Sequence, residues 1–297
     1  MVLPRITLRL ARRMAVVFVA GLLALPLSAS GQGMIDGFKK NKGNLDLALS
    51  YSWERYDEFY VGDQLVSEPG LGEITTQSVS LYAAYGLSSR FDVIVNLPFI
   101  SAKASNNSAL DESSLQDLAL CVKGLIVRHT LANGMTLNLL GSVGVMAPTS
   151  RYAIEAPVAI GHRSTHLDGR LVGQIEFGNG AFAAVQSGYI WRSDVTVAGA
   201  SVEVPGAFDT IVRAGYGSRA FYADLWANFQ QSQPGTDIGP GVPFPSNAIS
   251  FIRVGGTLYT PITAQLGIGL GAGYTVSGEN VGKAFRMSGG VIYRVRG

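Results

Sequence analysis

Of the 297 residues, 47% are hydrophobic and 15% charged, against roughly 25% charged in an ordinary soluble domain. A single cysteine, Cys121, and three histidines exclude an internal disulfide framework and a cysteine-based zinc site; they make a metal centre a poor prospect, and no cofactor is expected. After residue 30 no uninterrupted apolar run approaches the ~20 residues of a membrane helix, so the apolarity is dispersed rather than blocked.

Residues 1–30 have the layout of a cleaved signal peptide. Arg5, Arg9, Arg12 and Arg13 form a positive start, residues 14–27 an apolar stretch broken at Pro26, and Ser28, Ala29, Ser30 and Gly31 a small-residue cleavage region. Its removal takes four of the 23 basic residues and none of the 21 acidic ones, so the formal charge passes from +2 to −2. No basic patch for nucleic acid survives. Residues 31–43, with Lys39, Lys40 and Lys42, form a polar lead-in that lies in the periplasm or folds into a lumen, and a flexible tail is the expectation.

From residue 44 to the end the pattern has a period of two, which places unlike residues on the two faces of a strand. Leu45, Leu47, Leu49, Tyr51 and Trp53 alternate with Asp46, Ala48, Ser50, Ser52 and Glu54. After a polar stretch come 74–85 and 91–99; the second sets Phe91, Val93, Val95, Leu97 and Phe99 against Asp92 and Asn96. A polar loop, 103–114, precedes Leu118, Leu120, Val122 and Ile126, which oppose Asp117, Cys121 and Lys123. Asn133-Gly134 is a hairpin signal ahead of 135–145. The sixth strand, 165–178, separates Leu167, Gly169, Leu171, Gly173, Ile175 and Phe177 from His166, Asp168, Arg170, Val172, Gln174 and Glu176. Strands at 181–192, 208–217, 220–230, 248–260, 262–276 and 285–296 complete a set of twelve.

The connections alternate between short turns (86–90, 129–134, 178–180, 218–219, near Pro261) and longer loops (55–73, 103–114, 148–164, 193–207, 231–247, 277–284). Strands of about ten residues, an even count and this asymmetry predict an all-β fold. It is a transmembrane antiparallel up-and-down β-barrel with both termini on the periplasmic side. Aromatic residues near strand ends on the apolar face, among them Tyr85, Phe91, Phe177, Trp191, Phe208, Tyr216 and Phe221, match interfacial girdles. The competing reading is a soluble β-barrel or sandwich, where the same alternation would turn its apolar face to a core. The predicted organisation is a signal peptide (1–30), a polar segment (31–43) and a barrel (44–297) in the outer membrane of a Gram-negative bacterium. Outer-membrane lipid, lipopolysaccharide and the barrel-assembly machinery are its expected partners.

Several stretches resemble one family of small outer-membrane barrels, the family named for the MetA pathway of phenol degradation. Residues 85–100, YGLSSRFDVIVNLPFI, look like its first periplasmic turn and third strand. Leu115-Gln116-Asp117-Leu118 stands where the family has a Gly-Asp-Leu strand start, with Gln116 as a departure. Ala147-Pro148-Thr149-Ser150 resembles its Pro-Thr loop start, and residues 276–282, VSGENVG, with Val291-Ile292-Tyr293-Arg294, its C-terminal hairpin. Barrels of this kind commonly end on an aromatic residue, whereas this chain ends Val295-Arg296-Gly297. The resemblance implies a transporter-like barrel for small hydrophobic or aromatic solutes; its motifs speak for fold more than for function.

With the apolar set facing lipid, the other set lines the lumen. The candidates for a solute pathway are Asp92, Lys123, His166, Asp168, Arg170, Glu176, Arg192, Asp209, Arg213, Tyr222, Asp224, Trp226, Arg253 and Arg286. Charges of both signs on neighbouring strands either pair and fill a narrow barrel or form a polar path that selects solutes. His166 and Asp168 read as a lumenal charge pair. Tyr82, Phe182, Ile190, Tyr222, Trp226 and Tyr259 also fall on the inward set and either guide an apolar solute or pack the interior. The leading expectation is a small-solute channel that is not an enzyme. A closed structural or adhesive barrel is the first alternative. A lipid hydrolase using His162 and Ser164, which alternation places on one face, is the second; it would also need a group to orient the histidine.

Overall fold

A computed structural model of the chain describes residues 34–154 and 158–297. The expected signal peptide lies outside the described residues. Twelve long strands run in order: β1 (Leu45–Tyr56), β2 (Ile74–Gly86), β3 (Phe91–Ala104), β4 (Asp117–Thr130), β5 (Thr136–Pro148), β6 (His166–Glu176), β7 (Ala181–Arg192), β8 (Ala207–Gly217), β9 (Tyr222–Ser232), β10 (Ser250–Pro261), β11 (Leu266–Glu279) and β12 (Phe285–Val295). Each pairs antiparallel with its sequence neighbours, and β12 returns to β1 from Leu45 opposite Val295 to Arg55 opposite Phe285. The twelve strands therefore close into a barrel, which satisfies most of the ladder bonds that an open sheet would leave at its edges.

Alternation decides which face turns inward. On the outside Leu225 is 74% exposed, Val143 60% and Leu171 58%, whereas inside Asp92 is 0% and Lys123 2% exposed. A soluble protein would reverse this; an apolar exterior over a polar interior is what a lipid-facing barrel requires. Aromatic rings bound the apolar band. Tyr189 stacks edge-on against Trp191 and Phe208, both centroid distances being 4.7 Å, at one rim. Tyr216 and Phe221 lie 5.7 Å apart at the other. Phe208 and Tyr216 are eight positions apart on β8, which is roughly 27 Å of strand and about 20 Å of height once tilted.

Local irregularities have identifiable causes. The β4–β5 register shifts between Leu125 and Val127. Before that bulge odd-numbered residues of β4 face inward; after it Arg128 does, and its Nε donates to Asn138 at 2.8 Å. Pro98 sits in β3 where its neighbour changes from β4 to a short strand, Glu112–Leu115. Its carbonyl accepts from the Gln116 N–H at 2.9 Å, so its missing N–H falls on the side where the ladder is already interrupted. In the β4–β5 turn Gly134 has φ +81°, the left-handed region that glycine enters without strain.

The start of β1 and the end of β12 lie at the end with short turns, where the Gly297 N–H donates to Asn44. The longer connections occupy the other end and carry structure of their own. Glu58–Val61 pairs with Gln64–Ser67, and Val195–Val197 with Ala200–Val202. These hairpins lie in segments that the sequence marks only as polar loops.

Candidate functional site

The interior is filled on one side and open on the other. Residues 34–43 do not form the flexible tail expected from their composition; they fold into the lumen. Ile35 is buried among Ala84, Ile94, Cys121, Leu140 and Val172. Phe38 meets Phe182 and Tyr222 edge-on, at 5.2 and 6.1 Å. Charge fixes the segment further. Lys39 is paired with Asp92, whose other oxygen accepts from the Lys40 N–H at 3.2 Å. Lys123 donates to Asp36 at 2.8 Å and lies 3.6 Å from Asp92. Apolar anchors and buried ion pairs thus replace the solvation that a polar decapeptide would otherwise prefer.

The β6–β9 wall carries a second group of paired charges. Arg170 bridges Asp168, at 2.8 Å, and Asp209. Arg213 pairs with Asp224 at 3.2 Å, and the Tyr222 hydroxyl donates to Asp224 at 2.7 Å. Glu176 accepts from Asn138 and Gln174 at 2.7 and 2.9 Å. Arg192 donates to the Pro205 carbonyl. His166 does not pair with Asp168, as its spacing suggested. Its Nε2 lies 2.8 Å from Ser164 Oγ, while Asp168 is taken by Arg170.

That contact also redraws the nucleophile reading. Ser164 meets His166 rather than His162, and Ser164 is 1% exposed. The His162 ring instead stacks on Phe244 at 5.4 Å. Burial, with Arg192 and His166 adding to it, pushes His162 down to about 3 from an ordinary 6.5. Among the described residues no carboxylate accepts a hydrogen bond from either imidazole.

On the opposite side, β1, β2 and β9–β12 enclose a cavity of about 470 Å³. Its wall is built from small residues, including Ala48, Ser50, Gly269, Gly271, Ser288 and Gly290. Facing them are Met34, Phe38, Tyr82, Tyr222 and Tyr259. Small side chains on alternate positions of adjacent strands leave volume that larger ones would fill. Toward the loops, Trp226 lies over β10 and β11. A Cβ at Gly255 would come within 2.3 Å of its Cζ2, so glycine there is what lets the ring lie against the wall. Trp226, Arg253 and Arg286 stand on this side of the lumen, apart from the Asp92–Lys123 and Asp168–Arg170 groups.

The loop end is partly capped. Tyr152, Ile154, Val158 and Ile160 pack with Val195, Val197 and Val204 against the inward side chains of Ile74, Ala102 and Ala104. The Tyr152 hydroxyl donates to Asp117 at 2.8 Å and accepts from the Arg163 N–H at 2.9 Å. Arg163 holds a left-handed backbone, φ +56°, a conformation costing an arginine on the order of 1–2 kcal/mol. The bond from its guanidinium to the Tyr152 carbonyl, 2.9 Å, helps to hold it there.

The sequence names a lumenal position for residues 31–43 only as the alternative to a flexible tail, and it does not signal the small-residue wall or the cap. A run Asp36-Gly37-Phe38-Lys39-Lys40 has no periodicity to signal what it binds, and glycines on a strand do not announce which face is hollow.

No family model matches the chain, and no curated protein matches it in sequence. Among solved structures the fold is similar to an outer membrane channel from Pseudomonas putida F1. The TM-score is 0.72 at 18% identity, over 90% of this chain and 100% of that one. It is also similar to the NanC porin, with a TM-score of 0.50 at 8% identity, over 84% of this chain and 100% of that one. At these identities the likeness is one of fold: a closed, twelve-stranded outer-membrane type of barrel.

Proposed function

We propose that the chain is a channel in the outer membrane of a Gram-negative bacterium that passes small solutes, apolar or aromatic in their body, through the open side of its lumen. The observation that carries this reading is the cavity of about 470 Å³ between the small-residue wall and the lumenal segment. Its aromatic side, Tyr82, Tyr222, Tyr259 and Phe38, suits a planar apolar solute. The fold shared with an outer membrane channel and a porin supports conduction, and the resemblance to the MetA-pathway family supports the solute class. Lipid around the girdles and lipopolysaccharide at the loop end are the partners that go with this placement.

The test is conductance of the refolded protein in planar bilayers, with phenol as a blocker. Steady conductance that Ala48→Trp lowers, by placing an indole in the cavity, supports the channel. A closed structural barrel is the second reading, favoured by the lumenal segment and the loop cap. It gains if verifiably inserted protein carries no current.

A further inference from the structure

The lumenal charges differ between the two sides of the barrel. On the filled side Asp36, Asp92, Asp168, Asp209 and Asp224 each pair with a lysine or arginine. On the open side Arg253 and Arg286 make no ion pair among the described residues. Arg253 sits opposite Thr275 on β11 and Arg286 opposite Gly273, so the two flank one strand whose residue 273 has no side chain to separate them. Arg253 Nε donates to Thr275 Oγ1 at 3.1 Å, and its guanidinium lies 4.2 Å over the Phe251 ring. Arg286 donates one nitrogen to Ser52 Oγ at 3.0 Å, while its Nε is buried without a partner. The one acid in register with this pair is Glu54, opposite Arg286.

Neighbouring polar atoms share that lack of partners. Trp226 Nε1, Thr257 Oγ1 and Ser288 Oγ are buried and make no hydrogen bond among the described residues, and the same holds for Asn228 Oδ1 opposite Arg253. Thr257 and Ser288 line the cavity, and Ser288 is 2% exposed. An indole N–H and a guanidinium N–H can only donate, and a hydroxyl can. At the turn end of the same cavity Lys40 and Arg294 share a single carboxylate, Asp46, at 2.6 and 3.7 Å. Asp36 lines the cavity too, but is held by Lys123. The open side thus offers cations in excess of acids at both ends and a run of free donors between them.

We propose that this path is anion-selective, with Arg253 and Arg286 as its specificity-determining pair, and that it takes small organic anions such as carboxylates, whose charged end passes along Arg286, Trp226, Ser288 and Thr257. This rests on the channel reading and refines its solute class from apolar or aromatic to an apolar or aromatic body carrying an acid. A carboxylate accepts from two guanidiniums in better geometry than from any neutral donor, and in a narrow lumen the two fixed charges are weakly screened.

The experiment measures reversal potential across a KCl gradient with the full refolded chain, in the wild type and in R253Q/R286Q. Benzoate is the organic probe and benzamide its neutral counterpart. The expected result is chloride preference in the wild type, lost in the double variant and restored in R253K/R286K. Block by benzoate, but not by benzamide, should weaken roughly tenfold in the double variant. Cation preference in the wild type, or selectivity unchanged by R253Q/R286Q, overturns the proposal while leaving the channel standing. If inserted protein carries no current, the channel reading falls, and benzoate binding to the detergent-folded protein, followed by tryptophan fluorescence, decides the site alone. Binding that R253Q/R286Q weakens keeps it; no benzoate binding, or equal binding of benzamide, removes it.

Discussion

Asp92 and Lys123 carry opposite charge into a space shut off from solvent, and each is tolerable there because Lys39 and Asp36 arrive from another part of the chain. Asp92→Ala would leave Lys39 buried without a counter-charge, while Lys123 keeps Asp36 alone. It should destabilise the folded barrel by about 3–5 kcal/mol, read as the shift in urea unfolding in micelles; a loss below about 1 kcal/mol would mean the pair is solvated. Gly255→Val adds branches where a single Cβ already meets Trp226 Cζ2 and the Ala272 carbonyl, each at 2.3 Å. The expected cost is about 1–3 kcal/mol from overpacking, with a blue or red shift of tryptophan emission as the ring is displaced. The inward placement of Asp92, Lys123, Asp168 and Arg170 was legible in the sequence because a strand has a strict period of two. Their partners were not. Alternation names a face, not the residue opposite, and Lys39 and Asp36 belong to no strand. His166 shows the same limit: spacing offered Asp168, but Arg170 with its several donors takes that carboxylate.

At the scale of elements, the outer face of each strand is a claim about its surroundings. Leu171 lies at the middle of β6, outward and 58% exposed. Leu171→Arg should cost about 2–4 kcal/mol for a barrel folded into vesicles, the penalty of a cation at the bilayer midplane. The same substitution tested in detergent should cost far less, and equal costs in both would argue against lipid contact. The connection 149–165 obeys different physics. His162, stacked on Phe244, takes a proton only near pH 3, against 6.5 when free. The released loop therefore binds more protons than the seated one between those values, and release is favoured as pH falls from 6.5 toward 3. Limited proteolysis of this loop should be faster at pH 4.5 than at pH 7, and His162→Phe should shrink the difference. Strand positions were readable to within a few residues, because turns such as Asn133-Gly134 punctuate them. The hairpin of Glu58–Val61 and Gln64–Ser67 was not: four-residue strands are too short for alternation to stand out against a polar loop.

For the whole molecule, the strand number and the asymmetry of its connections follow from the spacing of turn signals, and both are legible in the sequence. What closes or opens the lumen is not, because a hollow is a property of facing walls and needs the register of six strands at once. Deleting residues 34–42 should widen the path and raise single-channel conductance severalfold, while lowering stability because Asp92 and Lys123 lose Lys39 and Asp36 and keep only each other, 3.6 Å apart; unchanged conductance would show that current bypasses the segment. The segment's seating has a mechanical corollary. Its hold on the wall is by side chains and by single backbone groups that meet wall side chains, the Lys40 N–H to Asp92 and the Asp36 and Phe38 carbonyls from Lys123; the first backbone–backbone bond to a strand comes only at Gly43, to the Gly86 carbonyl at 2.8 Å. Nothing in it is a stave of the barrel. Pulled from its N-terminal end in a force spectrometer, the chain should therefore yield first in one small step. That step would release the ten residues 34–43, about 35 Å of extended chain, before any strand peels away. The barrel's wall should then bear the rising load intact, as a cask does after its cork is drawn.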